Sequence, residues 1–203
     1  MNELLKMTAH QVKEGKFDKA ILAIGSCEAH GQHLAEGCDT IVSYELSKQV
    51  ADRVPGMLVL PPITVGYSGH YDTFPFTLTF DYETMIHVIY DIVESVLRNG
   101  INKIFLMNGH DGNIAPIEIA ARKIKEKYPD KTIWLYTGDS WENILHYAIM
   151  QYVDVLVDGE FQVDKKDVKL LWKGSSNQRV IDVQKSLKQT DPMIPVLHCR
   201  DYA

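Results

Sequence analysis

The sequence predicts an α/β fold: a mainly parallel sheet with helices on both faces, followed by a C-terminal α/β extension. Three observations carry this. Short apolar runs bounded by glycine or proline recur at Ala20–Ile24, Met57–Leu60, Ile104–Met107 and Ile133–Tyr136. Stretches with helical spacing of apolar residues lie between them, and such alternation builds parallel strands joined by helical crossovers. The runs are also continuously apolar, as expected of strands buried on both faces.

Residues 1–16 form a short amphipathic lead-in that ends near Gly15. The first strand, Ala20–Ile24, breaks at Gly25-Ser26. From Asp39, the series Val42, Leu46, Val50 and Val54 has helical spacing and stops at Pro55-Gly56. Met57–Leu60 is the second strand, closed by Pro61-Pro62. An irregular stretch follows over 64–80, TVGYSGHYDTFPFTLTF, rich in glycine, aromatics and hydroxyls. Loops of this length in compact domains are usually functional or disordered, and the aromatic content argues for order. Met85, Ile89, Ile92 and Val96 predict a helix over Asp81–Asn99, stopped by Gly100. The third strand, Ile104–Met107, ends in Asn108-Gly109-His110-Asp111-Gly112-Asn113. A helix then runs to about Tyr128, with Pro116 tolerated in its first turn. After the fourth strand, Ile133–Tyr136, a helix is expected over Ile144–Tyr152, a strand over Val153–Val157 and a turn at Asp158-Gly159. The remainder is charged and lacks periodicity.

The bulk numbers exclude several classes. With 203 residues the chain can bury one good-sized core or two small ones. No apolar run approaches the ~18 residues of a membrane span, and the N-terminus lacks a signal-like apolar region. A formal charge of −6 argues against a basic nucleic-acid surface. Three scattered cysteines, Cys27, Cys38 and Cys199, make neither a disulfide framework nor a C-x-x-C site, so a cytoplasmic location is expected.

The chemistry-bearing residues gather where parallel sheets bind ligands, beyond the carboxyl ends of the strands. Glu28, His30, His33 and Asp39 follow the first strand within eleven positions of one another. Glu28 and His30, two apart, point to the same side if the chain is extended. A carboxylate and an imidazole so placed are half of a divalent-metal site. His110 sits on the same rim, after the third strand, and adds a further ligand. Cys27 and Cys38 flank this cluster and read as small buried fillers, with metal contact as the alternative.

These residues resemble the creatininase (creatinine amidohydrolase) family. The motifs stand here as Gly25-Ser26-Cys27-Glu28-Ala29-His30-Gly31 with Asp39, then Gly66-Tyr67-Ser68-Gly69-His70 with Phe74-Pro75, then Asn108-Gly109-His110-Asp111-Gly112-Asn113. They cover about residues 15–130. The resemblance implies a metal-dependent amidohydrolase that opens a C–N amide bond in a small cyclic or linear substrate. It implies one or two divalent ions (Zn, Mn or Fe): Glu28, Asp39 and His110 on one, His30 and Asp39 on the second, with Asp39 bridging. His70 either bonds substrate or oxyanion, or bridges loop backbones; Tyr67, Tyr71 and Phe74 pack the loop. Where the family carries a glutamate completing the second ion's shell, this chain has Gly112, with Asp111 expected to point elsewhere. Glu142 and Glu160 are the nearest replacements in sequence. A weak or empty second site follows, one that Gly112→Glu would strengthen. The family also implies a homo-oligomer.

From about Lys131 the words VDVLVDG and GSSNQR are similar to the C-terminal part of the anaerobic ribonucleotide reductase activating protein, a radical-SAM enzyme. Such enzymes hold an iron–sulfur cluster on three thiolates spaced C-x3-C-x2-C, and these 203 residues contain no such triplet. The sequence therefore divides into a creatininase-like metal-binding region, 1–130, and an activase-like segment, 131–203, packed onto the same sheet through Ile133–Tyr136. The alternative function is a catalytically silent composite or interaction module.

Overall fold

The computed structural model describes residues 2–131, 134–136, 140–146, 148–167, 169–170 and 172–199. The chain divides into two compact units, residues 1–124 and 125–203. Among the described residues no helix is long and apolar enough to cross a membrane.

In the first unit, α1 (Ala9–Glu14) is opened by a capping box in which Thr8 and Gln11 satisfy each other's backbone amides. The strand β1 (Lys19–Ile24) is the centre of the sheet, and Ala20–Ile24 are at most 2% exposed. The long helix α2 (Cys38–Arg53) leads to β2 (Met57–Val59). Next come α3 (Tyr82–Arg98), capped by Asp81 accepting from the Thr84 amide, and β3 (Lys103–Asn108). The order is β2-β1-β3, all parallel, with Ala20 opposite Leu58 and Ile104. The helix α4 (Ile114–Lys127) comes last, its final three residues lying past the unit's end at Ile124. The parallel sheet with helices thus agrees with the expected fold class, and strand positions agree within a residue or so.

The packing of α2 differs from the expected phase. Its buried residues are Ser43, Ser47 and Ala51, while Val42 and Leu46 are exposed along with Ile41. Small residues let the helix approach the sheet closely, and each serine hydroxyl donates to a carbonyl four residues back. Tyr44, Val50 and Val54 complete a cluster with Ile21, Met57, Val59, Phe105 and Met107. In α3 the buried set is Met85, Ile86, Ile89 and Val93, with Ile92 and Val96 only partly covered.

In the second unit, β4 (Trp134–Tyr136), α5 (Trp141–Ile144), β5 (Val155–Asp158), β6 (Arg179–Asp182) and α6 (Val183–Ser186) follow in order. They make a second sheet, β4-β5-β6, in which β4 is parallel and β6 antiparallel to β5. The expectation that the fourth strand joins the first sheet is therefore corrected: Trp134–Tyr136 forms its ladder with Val155–Val157. Ile133 lies outside the described residues. The helix expected over Ile144–Tyr152 is instead α5 and a 3-10 turn at Ala148–Gln151. Gly159 has φ +94°, the left-handed conformation a turn after β5 requires.

Residues shared with the activating-protein words build this hairpin. Asp158, 1% exposed, accepts from Arg179 and from the Trp141 amide at 2.7 Å. Arg179 also reaches both oxygens of Glu142, at 3.2 and 3.1 Å. Gln178 donates to the Gly159 carbonyl and accepts from the Gly174 amide, and Asn177 donates to the Glu160 carbonyl. Of the two glutamates nearest in sequence as substitute ligands, Glu142 is thus committed to Arg179.

Candidate metal centre

The strand ends and the start of α2 converge on one point. Beyond β1, Gly25 and Ser26 lead to Glu28; beyond β3, Gly109 leads to His110. Asp39 lies in the first turn of α2. A Cβ at Gly109 would lie 2.4 Å from the Asp39 carbonyl oxygen, so only glycine lets β3 and α2 meet this closely.

The structure brings Glu28, His30, Asp39 and His110 together. His110 Nδ1 lies 3.2 Å from Glu28 Oε1 and 3.1 Å from Asp39 Oδ2. Its Nε2 lies 2.9 Å from the Tyr67 carbonyl oxygen. A carbonyl can only accept, so in the neutral ring Nε2 carries the proton and the bare Nδ1 lone pair faces two carboxylates. Lone pairs converging in this way are matched by a cation, and a histidine ligand held by a carbonyl at its other nitrogen is a usual second layer of a metal site. Glu28 is 4% exposed, and its Oε2 is buried with no hydrogen-bond partner. An orphaned carboxylate oxygen in such a place is costly unless it meets a cation. The residues present therefore fit a divalent ion.

His30 repeats the pattern on the other side of Asp39. Its Nδ1 lies 3.0 Å from the Glu28 carbonyl oxygen and its Nε2 2.9 Å from Asp39 Oδ1. The Glu28 carbonyl first, and the Asp39 carboxylate after it, hold the His30 imidazolium above the usual histidine value, against the opposing effect of burial. Asp39 thus presents one oxygen to each histidine. Ser26, fully buried, donates to Asp39 Oδ2 at 2.8 Å and fixes that carboxylate.

His70 stands on the 3-10 turn Gly69–Tyr71, its ring nearly parallel to that of His110 at 5.9 Å. It offers a nitrogen within 4.8 Å of ligand atoms of Glu28 and His110. Tyr67 stacks on Tyr82 at 3.8 Å, while Tyr71 lies 5.9 Å from Phe74. A cavity of about 320 Å³ is lined by Glu28, His30, Asp39, His70, Tyr71, Gly109, His110 and Asp111. Asp111 lies on the cavity wall but belongs to neither group of close donor atoms. His33 is exposed.

Sequence reasoning assigned no role to Asn113, the last residue of the third motif. It is fully buried; its amide donates to the Gly25 carbonyl at 3.0 Å, and its Oδ1 accepts from the Tyr67 amide at 3.0 Å. It ties the end of β1, the aromatic loop and the turn after β3 into one frame. Its place in the motif was the only signal, since its partners lie 88 and 46 residues away.

The expected effect of Gly112→Glu reverses. A Cβ at 112 would lie 2.2 Å from the Tyr67 carbonyl oxygen and 2.5 Å from His110 Nε2, displacing the contact that orients His110. Gly112→Glu is therefore expected to weaken metal binding by roughly tenfold or more, as measured by equilibrium dialysis against Zn.

Comparison with known proteins gives four findings. The family model described as "Creatininase: Creatinine amidohydrolase" matches residues 5–178, past the last of the three motifs. The chain is 32% identical over 114 residues to the creatinine amidohydrolase of Pseudomonas putida, covering 52% of this chain and 44% of that protein. It is 33% identical over 109 residues to the anaerobic ribonucleoside-triphosphate reductase-activating protein of Pasteurella multocida, 50% of this chain and 67% of that protein. A solved creatinine amidohydrolase (creatininase) superposes with a TM-score of 0.57 at 28% identity, covering 64% of this chain and 52% of the solved one. The chain thus spans about half the length of the creatininases it matches.

Proposed function

Since the chain belongs to the creatininase family, we propose that it is a metal-dependent amidohydrolase cleaving a C–N bond, other than a peptide bond, in a small cyclic or linear amide. The observation that carries this is the bare Nδ1 of His110 facing Glu28 and Asp39 beside the unpartnered Glu28 Oε2. Glu28, Asp39 and His110 would hold one ion; His30 and the second oxygen of Asp39 would face the other. Creatininases have been solved in Zn–Zn and Mn forms, and this oxygen and nitrogen donor set suits Zn, Mn or Fe. A divalent ion there would supply Lewis acidity toward a carbonyl and toward water.

The protein's own residues do the rest. Ser26 and the Tyr67 carbonyl hold Asp39 and His110 in place, so ligand geometry is set before substrate enters. His70, exposed on the cavity wall, donates to the substrate carbonyl or to the tetrahedral oxygen derived from it. The cavity suits a small molecule, and the formal charge of −6 argues against a basic nucleic-acid surface. Assembly into a homo-oligomer belongs to the same reading: Ile41, Val42 and Leu46 on α2 are left in solvent. So does a cytoplasmic location.

A second reading, a catalytically silent composite or interaction module, is supported by the similarity to the reductase-activating protein. In that reading residues 131–203 are a packing segment and 1–130 keep ligands without turnover. Metal-stripped protein, reloaded with Zn or Mn and offered cyclic ureides, formamides and short peptides, separates the two. Hydrolysis of a small amide by reloaded protein alone is expected. Stoichiometric metal without turnover of any amide favours the silent module, and hydrolysis indifferent to chelation refutes the metal reading.

A further inference from the structure

We propose that Cys38 joins His30 and Asp39 to form a second divalent-metal position, with a thiolate as its third protein ligand. The inference rests on the metal-site reading above. Donor atoms of His30, Cys38 and Asp39 all lie within 4.8 Å of one another. An ion with bonds of about 2.0–2.3 Å to nitrogen, oxygen and sulfur draws such donors in with small side-chain shifts.

The surroundings of His30 point to the same place. The Glu28 carbonyl holds His30 Nδ1 at 3.0 Å, which turns Nε2 toward Asp39 Oδ1 at 2.9 Å. Without a metal the Nε2 proton bridges this pair, and a divalent cation that displaces that proton to solvent would meet the nitrogen and the oxygen together. Asp39 Oδ2 is engaged elsewhere, with Ser26 and His110. Oδ1 is therefore the oxygen available to a second ion.

Cys38 and Asp39 open α2, a helix of 16 residues, and its first-turn amides favour anionic ligands there. Position 112 cannot supply the third donor, because a side chain there collides with the Tyr67 carbonyl. Asp111 lines the cavity but belongs to neither group of close donors; Cys27, whose backbone pairs with Leu78, belongs to neither group either. On binding, the Cys38 thiol loses its proton to solvent as the sulfur–metal bond forms. A sulfur, nitrogen and oxygen set selects Zn or Co over Mn, so this position would be the thiophilic one of the pair.

Titration of the metal-free full chain with Co(II) tests this without any activity assay. Two equivalents are expected, one of them accompanied by a near-ultraviolet thiolate-to-cobalt charge-transfer band. Cys38→Ser should bind one equivalent and lose the band, whereas Cys27→Ser and Asp111→Asn should keep both equivalents and the band. The remaining equivalent shows that Cys38→Ser is folded. X-ray absorption on the wild-type chain should give one sulfur neighbour per two metals at about 2.3 Å. One equivalent with no sulfur neighbour, or a band that survives Cys38→Ser, overturns the Cys38 position and leaves the Glu28–Asp39–His110 site standing. No cobalt bound at all overturns both.

Discussion

Replacing His110 by alanine is expected to lower the affinity of the first divalent ion by about 100-fold or more and to abolish the amide hydrolysis proposed above. The substitution removes a nitrogen that faces both Glu28 and Asp39. It leaves Glu28 Oε1 without that contact, beside an Oε2 that already has no partner. Two carboxylates close together and starved of a nitrogen ligand still attract a cation, but without the geometry that holds Zn tightly. The Tyr67 carbonyl also loses its donor from the ring, so loop 64–80 should loosen. Isothermal titration with Zn measures the first effect, and amide hydrogen exchange across 64–80 the second. Equal Zn affinity in the variant would remove His110 from the site.

Arg179→Met should destabilise the second unit by about 3 kcal/mol, because it strands a buried carboxylate. Asp158 is 1% exposed, and without the guanidinium it keeps only the Trp141 amide among its described side-chain partners. The Arg179 side chain is one-third exposed, which places the effect at the low end of what breaking a buried pair costs. The hydrogen bond from Arg179 holds the Glu142 carboxyl below its ordinary value, against partial burial. A carboxyl lowered on folding contributes stability that is complete above its unfolded value, near 4.5, and is lost as pH falls through the lower folded one. Denaturant melts of wild type and Glu142→Gln from pH 7 downward should therefore converge in acid. An Arg179→Met chain as stable as wild type would show that the network adds nothing.

The first sheet was legible because each strand is a continuous apolar run closed by glycine, proline or a polar turn. Those signals sit within a few residues of the strand they bound. The face of α2 was not. Helical period is shared by both of its faces, and the apolar residues Val42 and Leu46 proved to be the outer ones. Ser43 and Ser47 look polar in a sequence but return their hydroxyls to the helix backbone and pack as small residues. The ligand cluster could be gathered from the rule that parallel strands present their carboxyl ends together. Its supports could not: Ser26 and Asn113 act through partners whose position only the folded chain defines. In the second unit, β6 hides in a charged stretch where Val180 and Ile181 are both fully buried, with no alternation to mark a strand. The word GSSNQR, read as a family likeness, is in structure the hydrogen-bonded turn that leads into that strand.

Anomalous diffraction from the Zn-loaded protein, collected on both sides of the zinc edge, tests the metal assignment most directly. The expected result is an anomalous peak bonded to Glu28, Asp39 and His110 Nδ1, at about 2.0–2.2 Å from each. A chain that takes up zinc with no peak among these three residues, or with His110 Nδ1 turned away from it, would contradict the assignment.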